Sequence, residues 1–152
     1  MGKIAKYLNQ LTVGNVFDNP EVLEKYSTDY SALQIRPKFV AFPESTDDVR
    51  KLVKFFSELA TKDIKVNVTA RGGGHDETGA SLTGGIVIST SKLNKLLEID
   101  PRDRLVHVQA GITLKELNTA LSVSGITVPI KDHEDDTIGG FNAMIEKQKK
   151  QK

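Results

Sequence analysis

At 152 residues the chain has the length of one ordinary domain, which leaves no room within it for a multidomain enzyme. Residues of the AVILMFWYC set make up 38%, and 12 glycines bring the apolar share near the globular norm, so wholesale disorder is excluded and one core can be buried. Lys and Arg total 21 against 20 for Asp and Glu, so no general basic field points to nucleic acid, and the absence of cysteine excludes disulfides, thiolate metal sites and cysteine nucleophiles.

No apolar run reaches the length of a membrane span, and the opening Met1–Leu8 lacks the apolar stretch of a secretory signal. Lys6 stands where N-myristoylation needs Ser or Thr. A soluble cytoplasmic protein is the default expectation.

Ile4, Leu8 and Leu11 fall at helical spacing before Gly14. Asn19-Pro20-Glu21 reads as a helix start, with Val22, Leu23 and Tyr26 following. Arg36-Pro37 breaks the chain, and Lys38–Phe42 reads as a strand closed by Pro43. Ser45-Thr46-Asp47-Asp48 opens a helix whose Val49, Leu52, Val53, Phe56 and Leu59 form one apolar stripe. Ile64–Ala70 alternates as a strand and runs into Arg71–Gly79, and Gly85–Thr90 is the next strand. Leu96–Ile99 and Arg104–Ala110 flank the turn Asp100–Asp103 as a hairpin. Thr113 caps a helix carrying Leu114, Leu117 and Leu121, which Gly125 stops. Ile126–Pro129 is extended, and Thr137 caps a last short helix with Ile138, Met144 and Ile145. The order β-α-β-loop-β-β-β-α-β describes an α+β unit. The expected divisions are an N-terminal helical segment over 1–25, a folded subdomain over 26–140 and a charged tail over 141–152, fraying from Glu146.

Gly72-Gly73-Gly74 directly follows a strand. Three consecutive glycines are entropically costly, and they are kept where the backbone takes positive φ or something approaches it closely. Successive N–H groups in such a turn form a concave anion-binding nest. The Walker pattern is absent, and the Rossmann spacing fails because Glu77 stands at its sixth position. From the residues alone the loop is either an anion nest or a tight structural turn.

The segment Arg71-Gly72-Gly73-Gly74-His75-Asp76-Glu77-Thr78-Gly79 resembles the pyrophosphate loop of the FAD-linked oxidases of the vanillyl-alcohol oxidase/PCMH superfamily. Further segments resemble the same family in the same order. These are Arg36-Pro37 with Val40, Pro43 and Ser45–Val49; Gly85–Ile88, Leu93-Asn94 and Glu98–Pro101; Val108–Asn118; and Thr137-Ile138-Gly139-Gly140. The resemblance covers about residues 26 to 140 and implies the N-terminal part of a PCMH-type FAD-binding subdomain. It implies that Arg71 opens the cofactor loop, that the amides of Gly72, Gly73, Gly74, His75 and Asp76 face the FAD pyrophosphate, and that Gly79 lets the chain turn back. Thr137, Gly139 and Gly140 would lie beside the ribityl chain or ring, and Pro129 would precede a loop near the cofactor. Asp76 and Glu77 would have to point outward, because carboxylates repel phosphate. In berberine-bridge-like members a Gly-Gly-His-Asp segment attaches FAD covalently through its His, whereas related loops with Asn, Ser or Thr there bind FAD without a bond. The resemblance therefore admits both covalent attachment through His75 and an amide-only role for it.

Other constellations point elsewhere only weakly. His133-Glu134-Asp135-Asp136 reads as a solvated acidic loop, since adjacent loop residues rarely converge on one ion, and no metal site is expected. His107 alternates with Val106 and Val108 and faces away from them. Ser81, Ser89 and Ser91 lack a nearby base, and Lys147, Lys149, Lys150 and Lys152 read as a solvated end. Family members continue past the Thr-Ile-Gly-Gly motif into a substrate domain, and no catalytic acid or base is assigned here. The resemblance thus implies the FAD-binding portion of an oxidoreductase that moves hydride from an alcohol, sugar or hydroxy acid to flavin N5, with a second chain supplying the rest. The alternatives are a non-catalytic FAD or nucleotide-binding module and a truncated vestigial product.

Overall fold

The computed structural model describes residues 1–129 and 134–149. They fall into two compact units, Met1–Lys92 and Leu93–Lys152. The first unit is built on a four-stranded sheet of β1 (Asn15–Phe17), β2 (Phe39–Phe42), β3 (Val68–Arg71) and β4 (Ile86–Ser89), in the spatial order β1-β2-β4-β3. Strand β4 is buried along its whole length and pairs in parallel with both β2 and β3, while β1 joins the β2 edge antiparallel. A strand covered on both faces needs apolar side chains at every position, which explains its continuous Ile-Val-Ile run.

Alternation sends the two faces of the sheet to separate cores. Ala41, Ile86 and Ile88 pack with Val16, Leu8 of α1 (Lys3–Leu11), and Leu52 and Phe56 of α3 (Thr46–Ala60). Val40 and Val87 pack on the opposite side with Leu23 of α2 (Pro20–Lys25), Tyr26 and Phe42.

Four sequence expectations change here. In α1, Leu8 is buried and Leu11 packs against the core as expected, but Ile4 is exposed and Ala5 is buried instead. In α3, Val53 is exposed, and the buried face runs through Asp48, Leu52 and Phe56. Pairing of β3 starts only at Val68, leaving Ile64 exposed, although the Asn67 carbonyl already accepts the Ile86 amide. Strand β1 is too short to show a period; it is held by Asn9, whose side chain donates to the Val16 carbonyl (2.7 Å) and accepts from the Val16 amide (2.8 Å).

The second unit packs a hairpin of β5 (Leu96–Asp100) and β6 (Leu105–Val108) with α4 (Leu114–Ser122) around Ile112, Leu117 and Leu121. The Asp100 carboxylate accepts from the Arg102 and Asp103 amides and closes the hairpin turn, as the Asp-Pro sequence predicts. His107 is exposed on the hairpin face away from that core. Thr113 and Glu116 form a reciprocal capping box at the start of α4. Ile126–Pro129 forms no strand; instead the Asn118 side chain accepts from the Val128 amide and donates to its carbonyl. The last helix, α5, spans Ile138–Lys149 and so passes the point where fraying is expected. His133, Lys150 and Lys152 lie outside the described residues.

Asp48, expected only to complement the α3 dipole, is fully buried, and its carboxylate accepts from the amides of Val13 (2.9 Å), Gly14 (3.0 Å) and Glu44 (3.0 Å). Burial opposes its charge, but the three amides outweigh it and hold the carboxyl below its ordinary range. Its folded pKa is depressed, so its stabilisation is present above the unfolded value of 3.8 and is lost as pH falls through the folded one. Replacement Asp48→Asn is expected to cost about 1–3 kcal/mol in urea unfolding at neutral pH, with the gap to wild type closing below about pH 4.

Candidate functional site

Arg71 ends β3 opposite Ser89, and strand alternation turns both toward the sheet face that carries Tyr26. The guanidinium lies over the Tyr26 ring, 5.0 Å from its centroid, and Nη1 is 3.5 Å from the Tyr26 carbonyl. The Tyr26 hydroxyl reaches Ser89 Oγ at 3.4 Å. Burial lowers the Arg71 pKa, and Tyr26 and then Asp29 oppose that shift; a guanidinium stays cationic under any such shift near neutrality. A buried cation therefore sits directly under the glycine loop.

Gly74 has φ +81°, and a Cβ there would collide with the Arg71 guanidinium. Gly79 has φ +78°, and a Cβ there would stand 2.6 Å from Leu33 Cδ1. Both positions therefore favour glycine for backbone, and Gly74 for space as well. Among the described residues, the backbone N–H groups of Gly72, Gly73 and Gly74 make no hydrogen bond. His75 folds back on Gly73, its Cε1 3.0 Å from where a Cβ would stand.

The Asp76 carboxylate turns away from the glycine triplet. It accepts from Thr78 N (3.0 Å), Thr78 Oγ1 (2.8 Å) and Ala80 N (2.7 Å), closing the loop on itself. Glu77 is exposed. The carboxylate of Asp76 thus satisfies amides further along the loop than the glycine triplet.

Sequence reasoning missed the segment from Tyr26 to Leu33, which grips the loop along its length. Tyr26 holds Arg71 at the entry, Tyr30 donates its amide to the Asp76 carbonyl (3.1 Å), and Leu33 meets Gly79. Asp29 accepts from Ser31 N (2.9 Å), Ser31 Oγ (2.6 Å) and Ser81 Oγ (2.9 Å). Desolvation opposes the Asp29 charge, yet the bonds from Ser31 and Ser81 and the nearby Arg71 hold its pKa below the ordinary carboxylate range. The Asp29-Tyr30-Ser31 triplet, with the spacing of a side-chain-closed turn, was the available signal. Ser81, Ser89 and Ser91 serve in these hydrogen bonds.

In the second unit, Thr137 is buried and pairs through its backbone with Thr113. Its Oγ1 accepts from the Gly140 amide (3.2 Å) and its carbonyl from the Phe141 amide (2.9 Å), which starts α5 as a cap. Gly139 donates to the Ala110 carbonyl (2.8 Å), and a Cβ at 139 would come within 3.0 Å of Ala110. Close packing on Ala110 by itself favours a small residue at 139. Pro129 is exposed. The described residues hold no group of three His, Cys, Asp or Glu side chains able to bind a metal. No helix among them is long and apolar enough to cross a membrane.

Residues 37–145 match the family described as FAD binding domain. The chain is 40% identical over 118 residues to D-2-hydroxyglutarate dehydrogenase of Pseudomonas putida, covering 76% of this chain and 12% of that protein. It is 30% identical over 125 residues to D-lactate dehydrogenase of Anaerostipes hadrus, covering 79% of this chain and 25% of that protein. The chain thus spans about a quarter or less of the length of these relatives. Among solved structures, an alkyldihydroxyacetonephosphate synthase superposes with a TM-score of 0.72 at 22% identity, over 83% of this chain and 28% of that one. That likeness establishes the fold, a small mixed α/β arrangement of PCMH type.

Gly74→Ala is expected to cost about 1–3 kcal/mol in chemical denaturation, by forcing a side chain into positive φ and displacing Arg71. Gly84, with open space where a Cβ would go, is the control: Gly84→Ala should change stability by less than about 1 kcal/mol.

Proposed function

The chain belongs to the FAD binding domain family, and on that premise we propose that the loop from Arg71 to Gly79 holds the pyrophosphate of FAD. The supporting observation is the run of Gly72, Gly73 and Gly74 amides that make no bond among the described residues, beside a buried guanidinium. Main-chain donors without side chains let phosphate oxygens approach to hydrogen-bond distance, and the Arg71 charge favours an anion there. Asp76, turned onto Thr78 and Ala80, keeps its carboxylate tied to the far part of the loop. In the same reading Thr137, Gly139 and Gly140 lie beside the ribityl chain or ring.

When bound, flavin supplies the two-electron chemistry, and this chain's residues bind and orient it. The relatives named for D-2-hydroxyglutarate and D-lactate make a D-2-hydroxy acid the substrate class we propose, with hydride passing from its C2. The groups that recognise that acid and take its hydroxyl proton are assigned to polypeptide outside this sequence, supplied in our reading by a second chain. His75 is the residue assigned to any covalent bond, because an imidazole nitrogen is the strongest nucleophile among the side chains of the loop.

The test is absorbance after incubation with FAD and desalting. Wild type should retain flavin stoichiometrically, and Gly73→Val should weaken binding by about tenfold or more. Equal affinity in the two proteins contradicts the loop assignment. Acid precipitation then separates the roles of His75: colour in the pellet that His75→Ala abolishes means a bond, and colour in the supernatant means an amide-only role.

A further inference from the structure

The segment that grips the glycine loop is itself closed at a neck. Thr28 and Gln34 bridge antiparallel, and the Ile35 amide donates to the Ser27 carbonyl at 2.8 Å. Asp29 stands just inside that neck. Its Oδ1 accepts from Ser31 N (2.9 Å) and Ser31 Oγ (2.6 Å), and Ser31 Oγ in turn accepts from the Leu33 amide (3.1 Å). Its Oδ2 reaches out of the segment and accepts from Ser81 Oγ (2.9 Å), a buried hydroxyl on the return limb of the loop between β3 and β4. Asp29 also lies near enough to Arg71 for their charges to interact.

We propose that Asp29 is a positioning residue for the flavin site, tying the 27–35 segment to Ser81 so that the two limbs of the loop are held in their anion-receiving shape before the ligand arrives. This rests on the flavin reading of the loop. The glycine triplet lies on the outgoing limb, where the adjoining Tyr26 holds Arg71, and Ser81 lies on the returning one. Glycine-rich backbone has much freedom to lose, and ordering it at the moment of binding lowers affinity. A tie made beforehand removes part of that cost. The charge of Asp29 works the other way, since a carboxylate near an anion site repels the ligand. Its bonds and its charge therefore push FAD affinity in opposite directions, and substitution separates them. In Asp29→Asn the charge goes but the bonding pattern stays, because the amide oxygen accepts from Ser31 and the amide nitrogen donates to Ser81 Oγ. In Asp29→Ala both go.

The experiment titrates FAD into wild type, Asp29→Asn, Asp29→Ala, Ser81→Ala and the Asp29→Ala/Ser81→Ala double variant. The expected result is about three- to tenfold weaker binding in Asp29→Ala and in Ser81→Ala, no further loss in the double variant, and binding as tight as wild type or tighter in Asp29→Asn. Asp48→Asn is the control for general loss of stability, since Asp48 bonds Val13, Gly14 and Glu44 and no part of the loop. Unaltered affinity in Asp29→Ala overturns the inference and leaves the flavin reading standing. Equal weakening in Asp29→Asn and Asp29→Ala also overturns it, because the charge would then be the active property, as does equal weakening in Asp48→Asn. Wild-type protein that binds no FAD overturns the flavin reading and this inference with it.

Discussion

Strands β3 and β4 are parallel neighbours, yet no helix joins them. Parallel neighbours need a long crossover, and a helix usually supplies it because a helix satisfies its own backbone. Here residues 72–85 carry the chain back along the sheet as a loop, so each polar group must find a partner one at a time. Asp76 takes the amides of Thr78 and Ala80, the Gly79 carbonyl takes the Leu82 amide, and Thr83 Oγ1 takes the Gly85 amide. The Asp76 carbonyl receives the Tyr30 amide from outside the loop. Only glycine fits where the crossover ends at Gly85, because a Cβ there would strike the Asn67 carbonyl. Three glycine amides at the start of this path stay outside the internal network, and the function we assign grows from that remainder.

Two buried charges organise the first unit in contrasting ways. Asp48 is a carboxylate surrounded by amides and fastens the turn after α1 to the start of α3. Arg71 is a cation laid on an aromatic ring, with an acceptor carbonyl at the outer limit of hydrogen bonding and Asp29 nearby. The first is saturated by the protein, which suits a structural post. The second retains donors beyond those that Tyr26 engages, which suits a group placed to meet an anion.

Elements specified by neighbouring residues were legible in the sequence. Ser45 caps α3 by accepting from Asp48 N, Thr113 and Glu116 box α4, and Gly125 with φ +67° follows its last turn. The glycine loop was legible for the same reason, as its unusual backbone is written in adjacent residues. Contacts across long separations left no periodic trace. Asp48 bonds Val13 from 35 residues away, and Asp29 bonds Ser81 from 52 away. A polar residue in a helix's first turn reads as a cap whatever lies opposite, and an Asp in a loop reads as solvated until its partner is known. The exposed Val53 and Ile4 show the same limit, since a 3.6-residue period places a stripe but leaves its angular edge to the packing partners.

The central claim is that the Gly72–Gly74 amides receive the charged bridge of a dinucleotide. Amide chemical shifts of the isotope-labelled protein, followed during titration with FAD and separately with ADP, address it residue by residue. The account predicts that Gly72, Gly73 and Gly74 shift most with both ligands, because both carry the pyrophosphate. Saturable FAD binding that leaves these three amides unmoved, with the largest changes elsewhere in the chain, would contradict it.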